Sequence, residues 1–193
     1  MIHFVGAGPG AVDLITVRGQ KLLETADQII YAGSLVHPQL LACAKEGCRI
    51  LDSAGMTLEA VVAAMEEGED QGWMTVRLHT GDPSIYGAIR EQMDILAQKG
   101  IAYDVVPGVS SFCAAAASLQ AEYTLPGISQ SVIITRMEGR TPVPDKQKIA
   151  DYAAHQATMV IFLSASLLDG LQAELLRGGY AADTPAAIVY KAS

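Results

Sequence analysis

Three short segments gather the residues of this chain whose types and spacing suit chemistry. They are Gly6-Ala-Gly-Pro-Gly10, Thr80-Gly-Asp-Pro-Ser-Ile-Tyr-Gly87 and Val106-Pro-Gly-Val-Ser-Ser111. Each follows a short apolar run that reads as a strand. Glycine after a strand lets backbone come close to a ligand and frees N–H groups to face it. The second segment adds side chains that hydrogen-bond, namely Thr80, Asp82, Ser84 and Tyr86. Asp82 before Pro83 is also what a helix N-cap and first turn look like, and Ser110 or Ser111 suits the cap of a following helix. Loops at the carboxyl ends of parallel strands are where open α/β sheets bind ligands.

Several chemistries fail on the residues present. The dinucleotide pattern is formally met by Gly6, Gly8 and Ala11, but Tyr31-Ala-Gly-Ser34 supplies no acid to hold a ribose. Pro9 also lacks an N–H to offer a phosphate. A serine hydrolase would need glycine two residues after Ser110, where Phe112 stands. His3, His37, His79 and His155 show no ligand spacing, so no metal site is expected. Cys43, Cys48 and Cys113 are odd in number and form no C-x-x-C pair, which suits a reducing, cytoplasmic compartment. Thirteen basic against 21 acidic residues leave a net charge of −8, which opposes non-specific nucleic-acid binding. The apolar run at Ile2–Val5 stops at Gly6, too soon for a signal peptide or a membrane span.

The elements that must position these loops follow from periodicity. Half the chain is hydrophobic, so 193 residues can bury a sizeable core. Strands are expected at Ile2–Val5, Gln28–Tyr31, Arg49–Leu51, Thr75–Leu78 and Ala102–Val106. Helices are expected at Thr16–Ala26, with Val17, Leu22 and Leu23 inward, at Thr57–Glu67 with Thr57 as cap, and at Ile85–Gln98 before Gly100. The alternation argues for a parallel, helix-covered sheet. Beyond it the pattern predicts a helix at Ser110–Leu119, strands at Ser131–Thr135, Met159–Leu163 and Ala187–Tyr190, and helices at Asp145–His155 and Ser166–Leu176. The segment Gly139–Pro144 is too proline-rich for either. A boundary near residues 110–122 makes two α/β lobes, and a chain stopping just after an apolar strand reads as an incomplete second lobe.

Taken together, the three loops with Asp13-Leu-Ile-Thr-Val-Arg-Gly19 resemble the tetrapyrrole methylase family along the whole chain. Four further segments are similar to the branch acting on C11 of precorrin-4 or cobalt-precorrin-4 in cobalamin biosynthesis. They are Tyr31-Ala-Gly-Ser-Leu35, Asp52-Ser-Ala-Gly-Met-Thr-Leu58, Tyr86-Gly-Ala-Ile-Arg-Glu-Gln92 and Thr135-Arg-Met-Glu-Gly-Arg-Thr-Pro-Val-Pro144. The resemblance implies an α/β fold of two lobes, 1–113 and 114–193, with S-adenosylmethionine bound in the cleft between them. It implies a homodimer, a tetrapyrrole substrate, and neither nucleic acid nor membrane as partner. Carried over, the donor pocket is Pro9, then Gly81, Asp82 and Ile85, then Ser110 and Ser111, with Leu163 and Ala192 from the C-terminal part. Leu163 stands where methionine is often found, and Ala11 where aspartate is usual. Methyl transfer would be a direct displacement needing no covalent nucleophile, so the lack of a triad is expected. Arg18, Lys21, Arg136 and Arg140 would suit acidic substituents of the macrocycle. Two rivals stay open: a methylase for another corrin position or for uroporphyrinogen, and a non-catalytic domain that only binds donor or tetrapyrrole.

Overall fold

A computed structural model describes residues 1–33 and 36–192, so Ser34 and Leu35 of the Tyr31–Leu35 segment lie outside it. It divides into two compact units, Met1–Ala115 with Lys191 and Ala192, and Ala116–Tyr190.

The first unit is built on five parallel strands: β1 (Ile2–Gly6), β2 (Gln28–Tyr31), β3 (Arg49–Asp52), β4 (Thr75–His79) and β5 (Tyr103–Val106). Their order across the sheet is β3-β2-β4-β1-β5. β1 and β4 are buried at every position, as central parallel strands covered on both faces should be. One face carries Val5, Ile29, Val76 and Leu78 against Leu23 of α1 (Val17–Thr25) and against Leu40 of a 3-10 turn at Pro38–Cys43. The other carries Ile2, Phe4 and Ile30 against Val61 and Met65 of α2 (Leu58–Asp70) and Leu96 of α3 (Arg90–Gln98).

Polar groups pin the helices to this sheet. Gln28, fully buried, donates to the Ala64 carbonyl at 2.8 Å. Arg77, also buried, donates to Gln92 of α3 and to the Ile30 carbonyl, both at 3.2 Å. Burial lowers its guanidinium to about 10. His79 stacks on Phe4, with ring centroids 6.0 Å apart, and its Nε2 has no partner among the described residues. Burial, reinforced by the charge of Arg77, pushes its imidazole down to about 3. Unfolded, the same ring protonates near its ordinary 6.5. Between those values the unfolded chain therefore holds more protons. The stability tied to His79 is complete above pH 6.5 and is lost as pH falls below it. Denaturation at pH 7 and pH 5 should show a loss of up to about 1.4 kcal/mol per pH unit, and His79→Phe should flatten that slope. Parallel profiles for the two proteins would assign the slope to other groups.

The second unit holds two parallel strands, β6 (Val132–Arg136) and β7 (Thr158–Phe162), with α5 (Ile149–Ala153) and α6 (Leu168–Arg177). Ile149, Ala150 and Ala153 form its buried helix face. Helix α4 (Ser111–Leu119) runs from the first unit into the second. No helix among the described residues is long and apolar enough to cross a membrane.

Four expectations need correction. Val17 is 70% exposed. It lies about 200° around the helix from Gly19, which shares the inward face with Leu23. α3 begins at Arg90, not Ile85, because Tyr86 and Ala88 have φ of 56° and 50°, which an α-helix cannot include. The helix expected over Asp145–His155 is interrupted at Lys148, whose backbone is extended. Ala187–Tyr190 is not a strand. Ile188 and Tyr190 are 71% and 82% exposed there, so apolar content misleads where no strand among the described residues takes up the ladder.

Candidate functional site

The strand order brings the three glycine-rich segments together. After β1 the chain crosses towards β2 on one side of the sheet. After β4 it crosses back over β1 to reach β5. β4 and β1 are neighbours whose connections leave in opposite directions, and such a switch point is where open α/β sheets form a binding crevice. The loops at the carboxyl ends of β4, β1 and β5 are the segments that start at Thr80, Ala7 and Pro107.

Backbone bonds join the first two loops. Ala7 N–H donates to the His79 carbonyl at 2.7 Å. Gly8 and Gly81 then exchange a pair of bonds, at 3.2 Å from Gly8 and 2.8 Å from Gly81. The third loop closes on both. A Cβ on Gly108 would lie 2.1 Å from the Gly81 carbonyl oxygen and 2.8 Å from the Gly6 Cα, and one on Gly6 would lie 2.6 Å from Gly108 Cα. No side chain fits at either position, so the close approach of three backbones is what these glycines make possible. Gly81 has a different reason to be glycine. Its φ is +59°, while a Cβ there would sit at an ordinary 3.6 Å from Ser110 Cα.

Asp82 is the side chain that fastens this junction. Its Oδ1 accepts from the Ser84 N–H at 2.8 Å and the Ser84 hydroxyl at 2.5 Å. Its Oδ2 accepts from the Gly108 N–H at 2.9 Å, 26 residues away in sequence. Burial works to raise this carboxyl, but the bonds from the Ser84 hydroxyl, Gly108 and the Ser84 amide outweigh it and hold it below the ordinary carboxylate range. The aspartate expected to cap a helix thus caps a turn, and its second oxygen reaches another loop.

Of the positions singled out from the sequence, Pro9, Gly81, Asp82, Ile85, Ser110 and Ser111 all lie on these three loops or the first turn of α4. Ser110 is buried and Ser111 exposed; Ile85 is half-buried, its N–H bonded to the Asp82 carbonyl at 3.2 Å. Leu163 belongs to the second unit, directly after β7, and is 72% exposed with φ +55°. Ala192 lies in the C-terminal segment, half-buried. Arg18 and Lys21 line a shallow depression on α1 with Val17, Leu22 and Thr25. Arg136 is engaged otherwise: its guanidinium donates to the Thr141 and Pro142 carbonyls at 3.0 and 2.9 Å and folds the loop after β6. Sequence spacing missed Gly6 as a contact for Gly108.

A family model described as Tetrapyrrole (Corrin/Porphyrin) Methylases matches residues 1–193. The cobalt-precorrin-4 C(11)-methyltransferase of Methanocaldococcus jannaschii is 56% identical over 192 residues, which cover this chain fully and 74% of that protein. Among solved structures, the cobalamin biosynthetic enzyme cobalt precorrin-4 methyltransferase, CbiF, superposes with a TM-score of 0.97 at 49% identity, over all of this chain and 80% of that one. The uroporphyrin-III C-methyl transferase of Thermus thermophilus, complexed with S-adenosyl homocysteine, gives 0.75 at 26% identity over 93% of this chain and 73% of its own. A match over the whole length, on a fold whose three glycine loops meet at one switch point, decides the matter: the chain belongs to the tetrapyrrole methylases.

Proposed function

We propose that this protein transfers a methyl group from S-adenosylmethionine to C11 of precorrin-4 or cobalt-precorrin-4. The observation that carries this reading is the 56% identity over the full chain to a relative named for that reaction. The donor reading is supported by the neighbour complexed with S-adenosyl homocysteine and by the junction of loops at the switch point. The residues suit such a donor. Backbone atoms are the nearest neighbours of Gly6 and Gly108, and the Ser110 hydroxyl and the Ser111 backbone nitrogen stand at the start of α4 beside Gly81. When bound, S-adenosylmethionine supplies an electrophilic methyl on a sulfonium whose positive charge disappears in transfer.

The chain's own part is to position and to exclude water. In this reading Pro9, Gly81, Ile85, Ser110 and Ser111 touch the donor, with Ala192 of the same unit, and Asp82 holds the second and third loops in register. Asp82 is already occupied by Ser84 and Gly108, so it acts through the loops. Arg18, Lys21 and Arg140 remain as partners for substrate carboxylates, since Arg136 is committed to its own loop. A homodimer in the cytoplasm is the assembly we propose. Apolar side chains open on each unit, Val17 and Ile128 among them, and three free cysteines support it.

The test is to incubate the protein with the donor and each macrocycle and to locate the new methyl by mass and NMR. A methyl at C11 is expected. A methyl at another ring carbon would move the protein to a sister activity, and failure to bind S-adenosylhomocysteine would overturn the enzyme reading itself.

A further inference from the structure

The second glycine loop ends in backbone that costs energy to hold. Tyr86 and Ala88 are not glycine, yet their φ values are +56° and +50°, a region that L-residues other than glycine rarely enter. Between them, a Cβ on Gly87 would run into the backbone of Pro83. Segment 83–88 is therefore folded tightly on itself, directly after Gly81 and Asp82 at the switch point. Ala88 is exposed, so its methyl gains nothing from the core. Non-glycine residues held this way persist only when their surroundings fix them.

Two buried side chains supply the fixing. Arg77 of β4 and Gln92 of α3 are 6% and 5% exposed. Arg77 Nε donates to Gln92 Oε1 at 3.2 Å, and Gln92 Nε2 donates to the Ala88 carbonyl at 3.0 Å. A guanidinium can only donate, so it decides which way round the Gln92 amide stands. The NH₂ of that amide then faces the carbonyl of the strained residue. Arg77 is itself tied to the sheet through the Ile30 carbonyl, at 3.2 Å. From Ala88 the contact runs through Gly87 to Pro83, and so to Asp82, whose carboxylate reaches Gly108.

We infer that Gln92, oriented by Arg77, is a positioning residue: its amide holds the strained Ala88 carbonyl and so sets the shape of the loop at 81–87 where it meets the methyl donor. This rests on the proposed role of that loop in binding S-adenosylmethionine. Every group concerned belongs to the first unit.

The test is calorimetric titration of the full chain with S-adenosylhomocysteine, well below the melting temperature of each variant. A glutamine that merely stabilises the fold would leave the affinity of folded molecules unchanged there. Gln92→Glu keeps the size and gives Arg77 a carboxylate, but at neutral pH it has no hydrogen for the Ala88 carbonyl. It should bind about tenfold more weakly, the worth of about one hydrogen bond. Ala88→Gly, which takes a positive φ without penalty, should bind as the parent protein does. Added to Gln92→Glu it should recover most of the lost affinity, a coupling that independent sites do not show. If Gln92→Glu does not fold, Gln92→Met takes its place, neutral, of similar length and without a donor. Parental affinity in the folded Gln92 variant would overturn the positioning role and leave the donor reading standing. A loss that Ala88→Gly leaves untouched would also overturn it, since the hold would not pass through Ala88. Failure of the parent protein to bind S-adenosylhomocysteine would instead overturn the donor reading, and the inference with it.

Discussion

Gly108→Ala is expected to cost this protein both stability and its ligand. The added methyl would sit 2.1 Å from the Gly81 carbonyl oxygen and 3.0 Å from the Gly6 carbonyl carbon. Both obstacles are backbone, which has no rotamer to yield, so the loops after β1, β4 and β5 must part. Overpacking of this kind costs about 1–3 kcal/mol or more. Donor affinity should fall as well, because the three loops that part are the ones proposed to hold it, and methyl transfer should suffer most, since an ångström's misplacement of reacting groups costs about a hundredfold in rate. Gly108→Val should be worse. Gly81→Val should weaken binding for another reason, its φ of +59°. Gly55→Ala is the control: among the described residues nothing lies within 4 Å of a Cβ there, and little change is expected. The measurements are thermal melting and calorimetric affinity for S-adenosylhomocysteine. Wild-type affinity in Gly108→Ala would show that the meeting of the three loops has no bearing on the donor.

Asp82→Asn should be nearly as damaging as Asp82→Ala, although it keeps the shape. The carboxylate accepts on both oxygens, from Ser84 on one side and Gly108 on the other. An amide has one acceptor and one donor, so either way round an N–H of the protein faces an NH₂ group. Leaving such a group unpaired costs about 1–3 kcal/mol, beyond the loss of about 1 kcal/mol expected for a cap alone. Donor affinity should fall at least about tenfold, as the loops lose register. Because folding depresses this carboxyl, its contribution to stability is present above its unfolded value near 3.9. That contribution disappears as pH falls through the lower, folded value. The Asn variant should lack this acid-side loss. A lower melting temperature with unaltered affinity would reduce Asp82 to a structural turn cap.

Much of the first unit was legible because its signals are local. Ile2–Val5 is a short, mostly apolar run that ends at glycine, Thr75–Leu78 is a stretch with β-branched residues despite Arg77, and Thr57 caps α2 as its hydroxyl predicts, accepting from Ala60 N–H at 3.3 Å. What spacing cannot carry is which loops meet. The bond from Gly108 to Asp82 joins residues 26 apart, and the Gly8–Gly81 pair spans 73 positions; both depend on the sheet order. The apolar period of α3 runs back through Ile85 and predicts an earlier start than Arg90, because the departures at Tyr86 and Ala88 leave no trace in hydrophobicity. Ala187–Tyr190 failed for the converse reason: an apolar run is a strand only when another backbone pairs with it. Of the positions expected to hold the donor, all except Leu163 and Ala192 come from a loop motif, and the motif gives the residue without its partner.

The strand order also bears on how the chain acquires its structure in time. β1 is made first, yet its partners are β4 and β5: Ile2 pairs with Thr75 and with Tyr103. β2 can pair early with β3, but β1 must wait for β4, and its other edge for β5 until some hundred residues exist, which at about 5–20 residues per second is several seconds of synthesis. Through that interval Ile2, Phe4 and Val5 have no ladder to join, and pairings so distant in sequence are slow to form even in the complete chain. The sheet of the first unit is closed only when β1 stands between β4 and β5. The same seating of β1 carries its loop against those after β4 and β5, so the meeting of the glycine loops depends on the completed sheet.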